Sequence, residues 1–525
     1  AAFLGFVKSL KLQSGDYSLG LDIRPEAGLA DSGDLEHDLP DLFETLAEAA
    51  VAPIDSGMVV GLGTGRTASR AVLALAERTY GRLPAKALPA RKPQLEPAQR
   101  AWAKAAGFTG KADTQLLLPD AKGALERVLV GLRAADDPFA LAAASGALPA
   151  GRYRLDAAGL ALDPQAAALS WSLGDYAFDA YKARSRVSPE LLLGDGPEAQ
   201  RGLLLAGAIA AVRDLVNTPA EACGPQHLEA VLRTLAKQHK AKIKVWEGEQ
   251  LLKANFPAIH AVGRAAAPER APRLIELNWG SDKTLPLLSL VGKGVCFDSG
   301  GLDIKPADGM RLMKKDMGGA ANAIGLAMMV MSLRLPVRLQ LLIPAVENAI
   351  AGNAFRPGDI FRTRSGRSIE IGNTDAEGRV VLCDALSYAV EGQPDLIIDL
   401  ATLTGAARVA LGPELPALFC RDLARGQQLV ELGLQERDPL WPLPLWQGYQ
   451  HLIDTPLADI SNSGSSPFAG AITAALFLER FIPDQQDWMH IDLYAWNSHA
   501  RAGRPVGGEA QTLRTLLSWL ERRYA

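Results

Sequence analysis

The sequence predicts an α/β protein of two domains, a smaller N-terminal α/β domain and a larger C-terminal domain with a mostly parallel sheet flanked by helices. A chain of 525 residues is longer than one hydrophobic core usually serves. In its C-terminal part, apolar runs of strand length at 285–291, 339–345 and 396–400 alternate with helical patterns such as 320–333. That alternation is typical of a parallel sheet covered on both faces, whose ligands bind at the carboxyl ends of the strands.

Local patterns place the domain boundaries. Residues 1–165 are rich in Ala, Leu and Gly and mix short strand-like runs with helical stretches, as expected for a small α/β domain. Residues 166–197 are interpreted as a connector, since an amphipathic stretch at 169–182 is followed by turn-forming Gly and Pro residues. A helix is expected at 198–216, ending before Pro219 because proline disfavours helix in the residue before it. The larger domain is expected at 198–525.

Composition narrows the possible partners and the location. The formal net charge is −4 and no long Lys/Arg block occurs, so neither nucleic acid nor an anionic membrane is expected as a partner. The four cysteines are far apart, which suits a reducing compartment and argues against a structural zinc or a disulfide scaffold. Apolar runs such as 202–212 are too short for a membrane span, and the first residues make a poor signal peptide. A cytoplasmic location is expected, although an organellar leader removed from the chain would leave no trace here.

The most informative segment, 291–301, follows an apolar run and is rich in glycine. Its glycines let the backbone turn tightly and approach ligands closely. Charged residues just past a buried strand must meet solvent, a partner or a metal. A phosphate-binding loop is excluded, because Gly294 stands where Ser or Thr is needed and Leu287 where the first Gly is needed.

Carboxylates in this region point to metal ions. Asp375 and Glu377 are two positions apart, and on an extended segment both carboxylates would lie on one side and repel each other. Together with Asp298 and Asp316, they could share a small site only if cations compensated them. Two divalent metals are the simplest compensation, and oxygen ligands suit Mn²⁺, Mg²⁺ or Zn²⁺. Spacing alone leaves the alternative of separate surface carboxylates beside glycine turns open.

Two ordered blocks, 293–325 and 373–382, resemble the signature segments of the leucyl aminopeptidase (cytosol aminopeptidase) family. The string Asn-Thr-Asp-Ala-Glu-Gly-Arg at 373–379 is the hallmark of that family. Supporting likeness at 214–219, 401–405 and 469–474 extends the resemblance over about residues 195–500. The resemblance implies that 198–525 is a catalytic metallo-aminopeptidase domain.

The resemblance implies two adjacent divalent metals, Zn²⁺ or Mn²⁺ with Co²⁺ or Mg²⁺ as alternatives. The side chains that would hold them are Lys293, Asp298, Asp316, Asp375 and Glu377. Asp298 and Glu377 would bridge the two ions, and the backbone carbonyl of Asp375 would add a ligand. An ammonium has no lone pair, so the metal charges must depress the pKa of Lys293 until its neutral amine binds.

Catalytic roles follow from the same resemblance. A water between two metals would attack the scissile carbonyl, and binding of the free α-amine of the substrate would restrict cleavage to N-terminal residues. Lys305 would stabilise the oxyanion. No Glu or His base is evident in the two blocks, and the resemblance implies that Arg379 holds a bicarbonate that shuttles the proton. Backbone N–H groups around Gly378 and Leu403 would help to bind that ion.

The resemblance also places the first substrate side chain against Met313, Thr402 and Gly405. A methionine wall and a glycine opening suit Leu, Met or Phe better than a charged residue. His490 and Asp492 alternate on a strand-like run and are expected to pack near the site. The partners implied are peptides and other copies of the chain in a homohexamer. A narrow dipeptidase of the cysteinylglycine type is the alternative, and a scaffold or nucleic-acid-binding protein that keeps the fold is a more distant one.

Overall fold

The computed structural model describes residues 95–155, 162–194 and 196–524. The expectations for residues 1–94, which form more than half of the predicted first domain, lie outside these ranges. The remainder of the N-terminal part contains α1 (Pro97–Ala105), β1 (Gln115–Pro119), β2 (Leu125–Val130), α2 (Ala142–Ala147), β3 (Arg152–Arg154), α3 (Pro164–Asp175) and β4 (Glu190–Leu192). Strand β1 pairs antiparallel with β2, and β3 pairs parallel with β4.

The small N-terminal core lies against α2 and α3. Leu141, Ala144 and Trp171 are buried together there. Helix α3 begins at Pro164, capped by the Asp163 carboxylate, which accepts from the Gln165 amide. The amphipathic stretch expected at 169–182 is therefore helical only to Asp175. The long helix expected at 198–216 is confirmed as α4 (Pro197–Asn217).

The rest of the chain alternates helices with strands. The helices are α5 (Pro225–His239), α6 (Glu249–Lys253), α7 (Pro257–Gly263), α8 (Ala307–Met310), α9 (Gly318–Ser332), α10 (Glu377–Glu391), α11 (Gly405–Leu411), α12 (Leu423–Gln435), α13 (Gly470–Glu479) and α14 (Leu513–Tyr524). The strands are β5 (Lys242–Glu247), β6 (Arg273–Trp279), β7 (Leu287–Gly292), β8 (Gly294–Asp298), β9 (Arg338–Asn348), β10 (Ile360–Arg362), β11 (Ser368–Glu370), β12 (Leu396–Ala401), β13 (Ala417–Cys420), β14 (Trp441–Pro442), β15 (Ile460–Ser461), β16 (Trp488–Asp492), β17 (Trp496–Asn497) and β18 (Gly507–Gly508).

A nine-stranded sheet organises this larger domain. Its order is β14-β13-β16-β12-β7-β9-β6-β5, and β8 continues alongside β9. Five of its eight strand pairs are parallel and three are antiparallel, so the expected mostly parallel sheet is confirmed. The centre, β16-β12-β7-β9, is parallel throughout, and the antiparallel pairs lie towards the two edges.

Both faces of the sheet are buried, which explains the continuous apolar runs of its central strands. Leu288 and Leu290 of β7 pack into the core that includes α4, α5, α9 and α14. Val291 packs into a second core formed with α7, α10 and α13 on the opposite face. Ile397 and Ile398 of β12 divide between the two cores in the same way.

Two further observations bear on the environment of the protein. All four cysteines are buried and free. No helix of the described residues is both long and apolar enough to cross a membrane.

Candidate active site

The predicted site residues lie just beyond the carboxyl ends of neighbouring strands. Lys293 separates β7 from β8, and Asp298 is the last residue of β8. Thr402 follows β12, which pairs directly with β7. Asp316 lies in the 3₁₀ turn Met313–Met317 that precedes α9, and Glu377 is the first residue of α10. The location matches the general rule for ligand sites of parallel sheets.

The segment around Asp375 and Glu377 is not extended, although the expected repulsion of the two carboxylates assumed an extended segment. Asp375 lies in a turn, and the α-helix begins at Glu377. The two carboxylates nevertheless approach each other and Asp298, so that one oxygen of each lies within 4.8 Å of the others. The turn followed by a helix start brings them together, rather than the pleat of a strand.

Lys293 is enclosed by acidic groups. Its Nζ lies 2.8 Å from Asp316 Oδ2 and 2.8 Å from Glu377 Oε1, and it donates to the Thr402 carbonyl at 2.9 Å. Burial lowers the pKa of Lys293, but the carboxylates of Asp316 and Glu377 outweigh it and hold that pKa above its ordinary value. A neutral amine at this position would therefore require the added positive charge of metal ions.

Lys305 occupies the other end of the acidic cluster. Its ammonium lies 2.8 Å from Asp298 Oδ2 and also pairs with Asp375. Burial and the neighbouring Asp298 carboxylate raise the pKa of Asp375 to about 6. Burial and Asp298 also raise the pKa of Glu377. Carboxylates held this close favour bound cations, because a cation removes both the repulsion and the desolvation penalty.

The residues present fit divalent metal ions. Carboxylate oxygens of Asp298 on one segment and of Asp375 and Glu377 on another converge to within 4.8 Å of one another. Glu377 Oε2 is buried and has no hydrogen-bond partner within the described part of the chain. A buried carboxylate oxygen without a donor is costly unless a ligand supplies positive charge. Carboxylate oxygens are the ligands that hard divalent cations prefer.

Asn348 and Thr374 connect the two signature blocks, although neither was predicted to have a role in the site. Asn348 Nδ2 donates to Asp298 Oδ1 at 2.8 Å and to the Thr374 carbonyl at 3.0 Å. Thr374 Oγ1 donates to the Gly300 carbonyl at 2.6 Å. Asn348 is the last residue of β9, so a polar residue at the carboxyl end of a long apolar run was the signal that could have revealed it.

Asp492 fixes the turn after β12. Its Oδ1 accepts from the Leu403 amide at 2.9 Å and from the Thr404 amide at 3.2 Å, and its Oδ2 accepts from Thr404 Oγ1 at 2.6 Å. The Leu403 N–H expected to bind bicarbonate thus donates to a carboxylate of the chain. Thr402 Oγ1 donates to the Asp316 carbonyl at 2.8 Å, which ties the same turn to the acidic cluster.

Arg379 and Gly378 lie directly after Glu377 on α10. The Arg379 side chain is buried, its Nε has no hydrogen-bond partner among the described residues, and its guanidinium lies 5.9 Å from the centre of the Phe477 ring. Burial lowers the pKa of Arg379 to about 10, so it remains cationic. A Cβ at Gly378 would lie 2.6 Å from Lys293 Cε, so only glycine leaves room for that lysine.

His490 is a packing residue, as the sequence analysis expected. Its Nδ1 lies 2.5 Å from Asp399 Oδ1, and Trp488 Nε1 donates to the other oxygen of Asp399 at 2.7 Å. The ring is fully buried within the sheet and stacks on Phe419.

A cavity of 320 Å³ brings most of the predicted residues together. The predicted residues that line it are Lys293, Asp298, Lys305, Met313, Asp316, Asp375, Glu377, Thr402, Leu403 and Gly405. The cavity is also lined by Asp492, Tyr494, Lys315 and Arg408. A larger open cleft of 890 Å³ beside α10 and α13 contains none of the predicted residues.

A buried acidic cluster with two lysines at the strand ends of an α/β sheet is the arrangement expected of a metal-dependent hydrolase. Residues 210–517 match the model of the cytosol aminopeptidase family catalytic domain, and residues 82–194 match the M17 aminopeptidase N-terminal domain. The chain therefore belongs to the cytosol aminopeptidase (M17) family. It is a metallo-exopeptidase with an N-terminal domain and a C-terminal catalytic domain, which confirms the resemblance seen in the sequence.

Individual relatives and solved structures support the same family assignment. A probable cytosol aminopeptidase of Syntrophotalea carbinolica is 40% identical over 450 residues, which cover 79% of this chain and 90% of the relative. The crystal structure of a cytosol aminopeptidase from Coxiella burnetii has 49% identity and a TM-score of 0.78, covering 82% of this chain and 94% of that one. The bottromycin maturation enzyme BotP, in complex with Mn, has 34% identity and a TM-score of 0.74, covering 81% and 96%.

Proposed function

We propose that this chain removes N-terminal residues from peptides with two divalent metal ions. The side chains proposed to hold the ions are Lys293, Asp298, Asp316, Asp375 and Glu377. The observation that carries the proposal is their convergence: residues from two distant blocks of sequence line one cavity of 320 Å³. Asp298 and Glu377 are the proposed bridging residues, and the Asp375 carbonyl is a further proposed ligand.

The identity of the ions is part of the proposal. Zn²⁺ or Mn²⁺ is proposed, with Co²⁺ or Mg²⁺ as alternatives, and the similar BotP structure in complex with Mn supports manganese. When bound, two such ions supply Lewis-acid chemistry, which lowers the pKa of water and polarises a carbonyl oxygen. Lys293 would contribute its amine and position Asp316 and Glu377, with which it already makes contacts of 2.8 Å.

Lys305 and Arg379 are the proposed catalytic cations. Lys305 Nζ lies at the edge of the acidic cluster beside Asp298 and Asp375, where it would donate to the carbonyl oxygen of the scissile bond as negative charge develops there. Arg379 is a buried guanidinium with an unpartnered Nε among the described residues, which supports a small bound anion. Bicarbonate is the proposed ion, and backbone N–H groups around Gly378 and Leu403 would help to hold it. The Leu403 N–H itself would have to leave Asp492 Oδ1, to which it donates at 2.9 Å.

The first substrate side chain is proposed to lie against Met313, Thr402 and Gly405. All three line the same cavity as the acidic cluster, which supports this assignment. The flexible thioether of Met313 suits Leu-, Met- and Phe-like side chains of different shapes. A narrow dipeptidase would use the same catalytic residues, and the likeness to BotP, which is named as a maturation enzyme, supports a specialised substrate range as the alternative.

The wider organisation is also proposed rather than observed. We propose domains at 1–165 and 198–525 joined by a connector at 166–197, a cytoplasmic location and a homohexamer. Exposed apolar side chains such as Val409, which is 85% exposed, and Phe468, which is 79% exposed, support self-association.

Hydrolysis of leucyl-p-nitroanilide tests the proposed function. Activity should disappear with a chelator and return when Mn²⁺ or Zn²⁺ is added. Asp375→Asn should abolish turnover, because the neutral amide is a far weaker metal ligand. Asp136→Asn is the matched control, since Asp136 is exposed and does not line the cavity. Wild-type turnover by Asp375→Asn would contradict the site assignment.

A further inference from the structure

One wall of the cavity is cationic rather than acidic. Lys315 Nζ lies 4.7 Å from the centre of the Tyr494 ring, and the Arg408 guanidinium carbon lies 4.8 Å from the same centre. All three residues line the cavity that contains the acidic cluster. The tyrosine ring is therefore flanked by two cations that face the substrate-binding space.

Lys315 lacks an anionic partner. The residue is only 5% exposed, and within the described ranges its side chain makes no hydrogen bond or ion pair. The nearby carboxylates are engaged elsewhere: Asp316 contacts Lys293 and Thr402, and Asp492 accepts three hydrogen bonds from the turn after β12. The neighbouring Lys314, by contrast, has a hydrogen-bond partner, since its Nζ donates to the Asn217 carbonyl at 2.5 Å.

Arg408 brings a second cation to the proposed side-chain pocket. A Cβ built on Gly405 would lie 3.9 Å from Arg408 Nη2, so the guanidinium lies beside the glycine that opens this pocket. The Arg408 side chain likewise has no ion-pair partner among the residues that the structure describes. A buried ammonium without a counter-charge is costly, and a ligand carboxylate would offset that cost.

We propose that Lys315, Arg408 and Tyr494 form a subsite for a carboxylate on the N-terminal side chain of the substrate. The subsite rests on the proposed aminopeptidase function and extends its substrate class. Met313 would pack against the methylene groups of an N-terminal glutamate, while the two cations bind its carboxylate. The enzyme thus removes N-terminal Glu in addition to Leu-like residues. Hydrolysis itself is unchanged, since only the side chain of the first residue differs.

Peptides that differ only in the first residue test the subsite. The metal-loaded full chain is assayed on Glu-, Gln- and Leu-initiated peptides with one common body and an amidated C-terminus. The Glu and Gln peptides then differ only in the charge of the first side chain, because glutamine is the neutral isostere of glutamate. The wild type should cleave the Glu peptide with a higher kcat/KM than the Gln peptide. Arg408→Met should lower this Glu/Gln ratio about tenfold, as expected for the loss of one charge-assisted contact.

Control variants separate the subsite from general effects. Arg356→Met removes an exposed arginine whose guanidinium donates to the Gly352 carbonyl, and it should leave the Glu/Gln ratio unchanged. Lys315→Met should lower the ratio as well, with thermal unfolding measured to show that the variant is folded. An unchanged ratio in both Arg408→Met and folded Lys315→Met would overturn the proposal. The same peptides with a free C-terminus are assayed in parallel. An Arg408→Met effect seen only with the free C-terminus would also overturn the proposal, because it would assign the cations to that terminal carboxylate. Failure of the wild type on all three peptides would instead refute the proposed function.

Discussion

Replacing Gly378 by alanine is expected to disable the enzyme while leaving it folded. A Cβ at this position would lie 2.6 Å from Lys293 Cε and 2.7 Å from its Nζ. Ordinary carbon contacts begin near 3.5 Å, so the lysine side chain must retreat by about 1 Å. That retreat is opposed, because Lys293 is only 3% exposed and is held by Asp316, Glu377 and the Thr402 carbonyl.

The size of the effect follows from this displacement. A misplacement of about 1 Å in a catalytic group can lower the rate about 100-fold. The overpacking costs about 1–3 kcal/mol of stability. Part of this cost is offset, since alanine is favoured over glycine within a helix by about 0.5–1 kcal/mol. The variant should therefore unfold at a slightly lower temperature and still be folded during the assay.

Two quantities are measured for the variant and the wild type: kcat/KM for leucyl-p-nitroanilide at saturating Mn²⁺, and the thermal unfolding midpoint. Gly207→Ala is the matched control, because Gly207 lies within α4 and a Cβ there would meet nothing within 4 Å. That variant should keep full activity. If Gly378→Ala retained more than about half of the wild-type kcat/KM, Lys293 would not need its present position and the reasoning would be refuted.

Three further perturbations have defined outcomes. Lys305→Met should lower kcat about 100- to 1000-fold at saturating metal, and near-wild-type kcat would exclude it from oxyanion stabilisation. Arg213→Met should cost about 1–3 kcal/mol in urea unfolding, because Glu509 would lose a buried partner at 3.1 Å and keep only Arg504 at 3.6 Å, and Arg213→Met/Glu509→Gln should recover part of it. Burial raises the pKa of Asp384 from 3.8 to about 7, so the protonated form favours the fold, and this stability is complete below 3.8 and lost as pH rises towards 7. The thermal midpoint of Asp384→Asn relative to wild type should therefore increase over that range, and a constant difference would contradict the assignment.

The central strands could be predicted because both of their faces are buried. The apolar runs at 285–291, 339–345 and 396–400 correspond to β7, β9 and β12 within a few residues. The antiparallel edges were not predicted, since strand direction depends on how the connecting segments cross the sheet. A local apolar pattern does not specify how the connecting segment crosses the sheet.

The residues of the site were predicted better than their geometry. The resemblance identified most of the residues that line the cavity. The repulsion expected between Asp375 and Glu377, however, assumed an extended segment where the structure has a turn and a helix start. Asn348 and Asp492 were not assigned roles in the site, because each acts through hydrogen bonds to residues far away in sequence. Asn348 is 50 residues from Asp298, and Asp492 is 89 residues from Leu403. Such pairs become visible only in the folded protein.

Those long sequence separations have a consequence for the enzyme during its synthesis. Chains are synthesised from the N-terminus, and domains generally fold as units once their residues have emerged. The turn that carries Thr402 and Leu403 has no carboxylate to hold it until Asp492 leaves the ribosome, 89 residues later. We therefore expect the nascent chain to be inactive until Asp492 has emerged and can hold this turn.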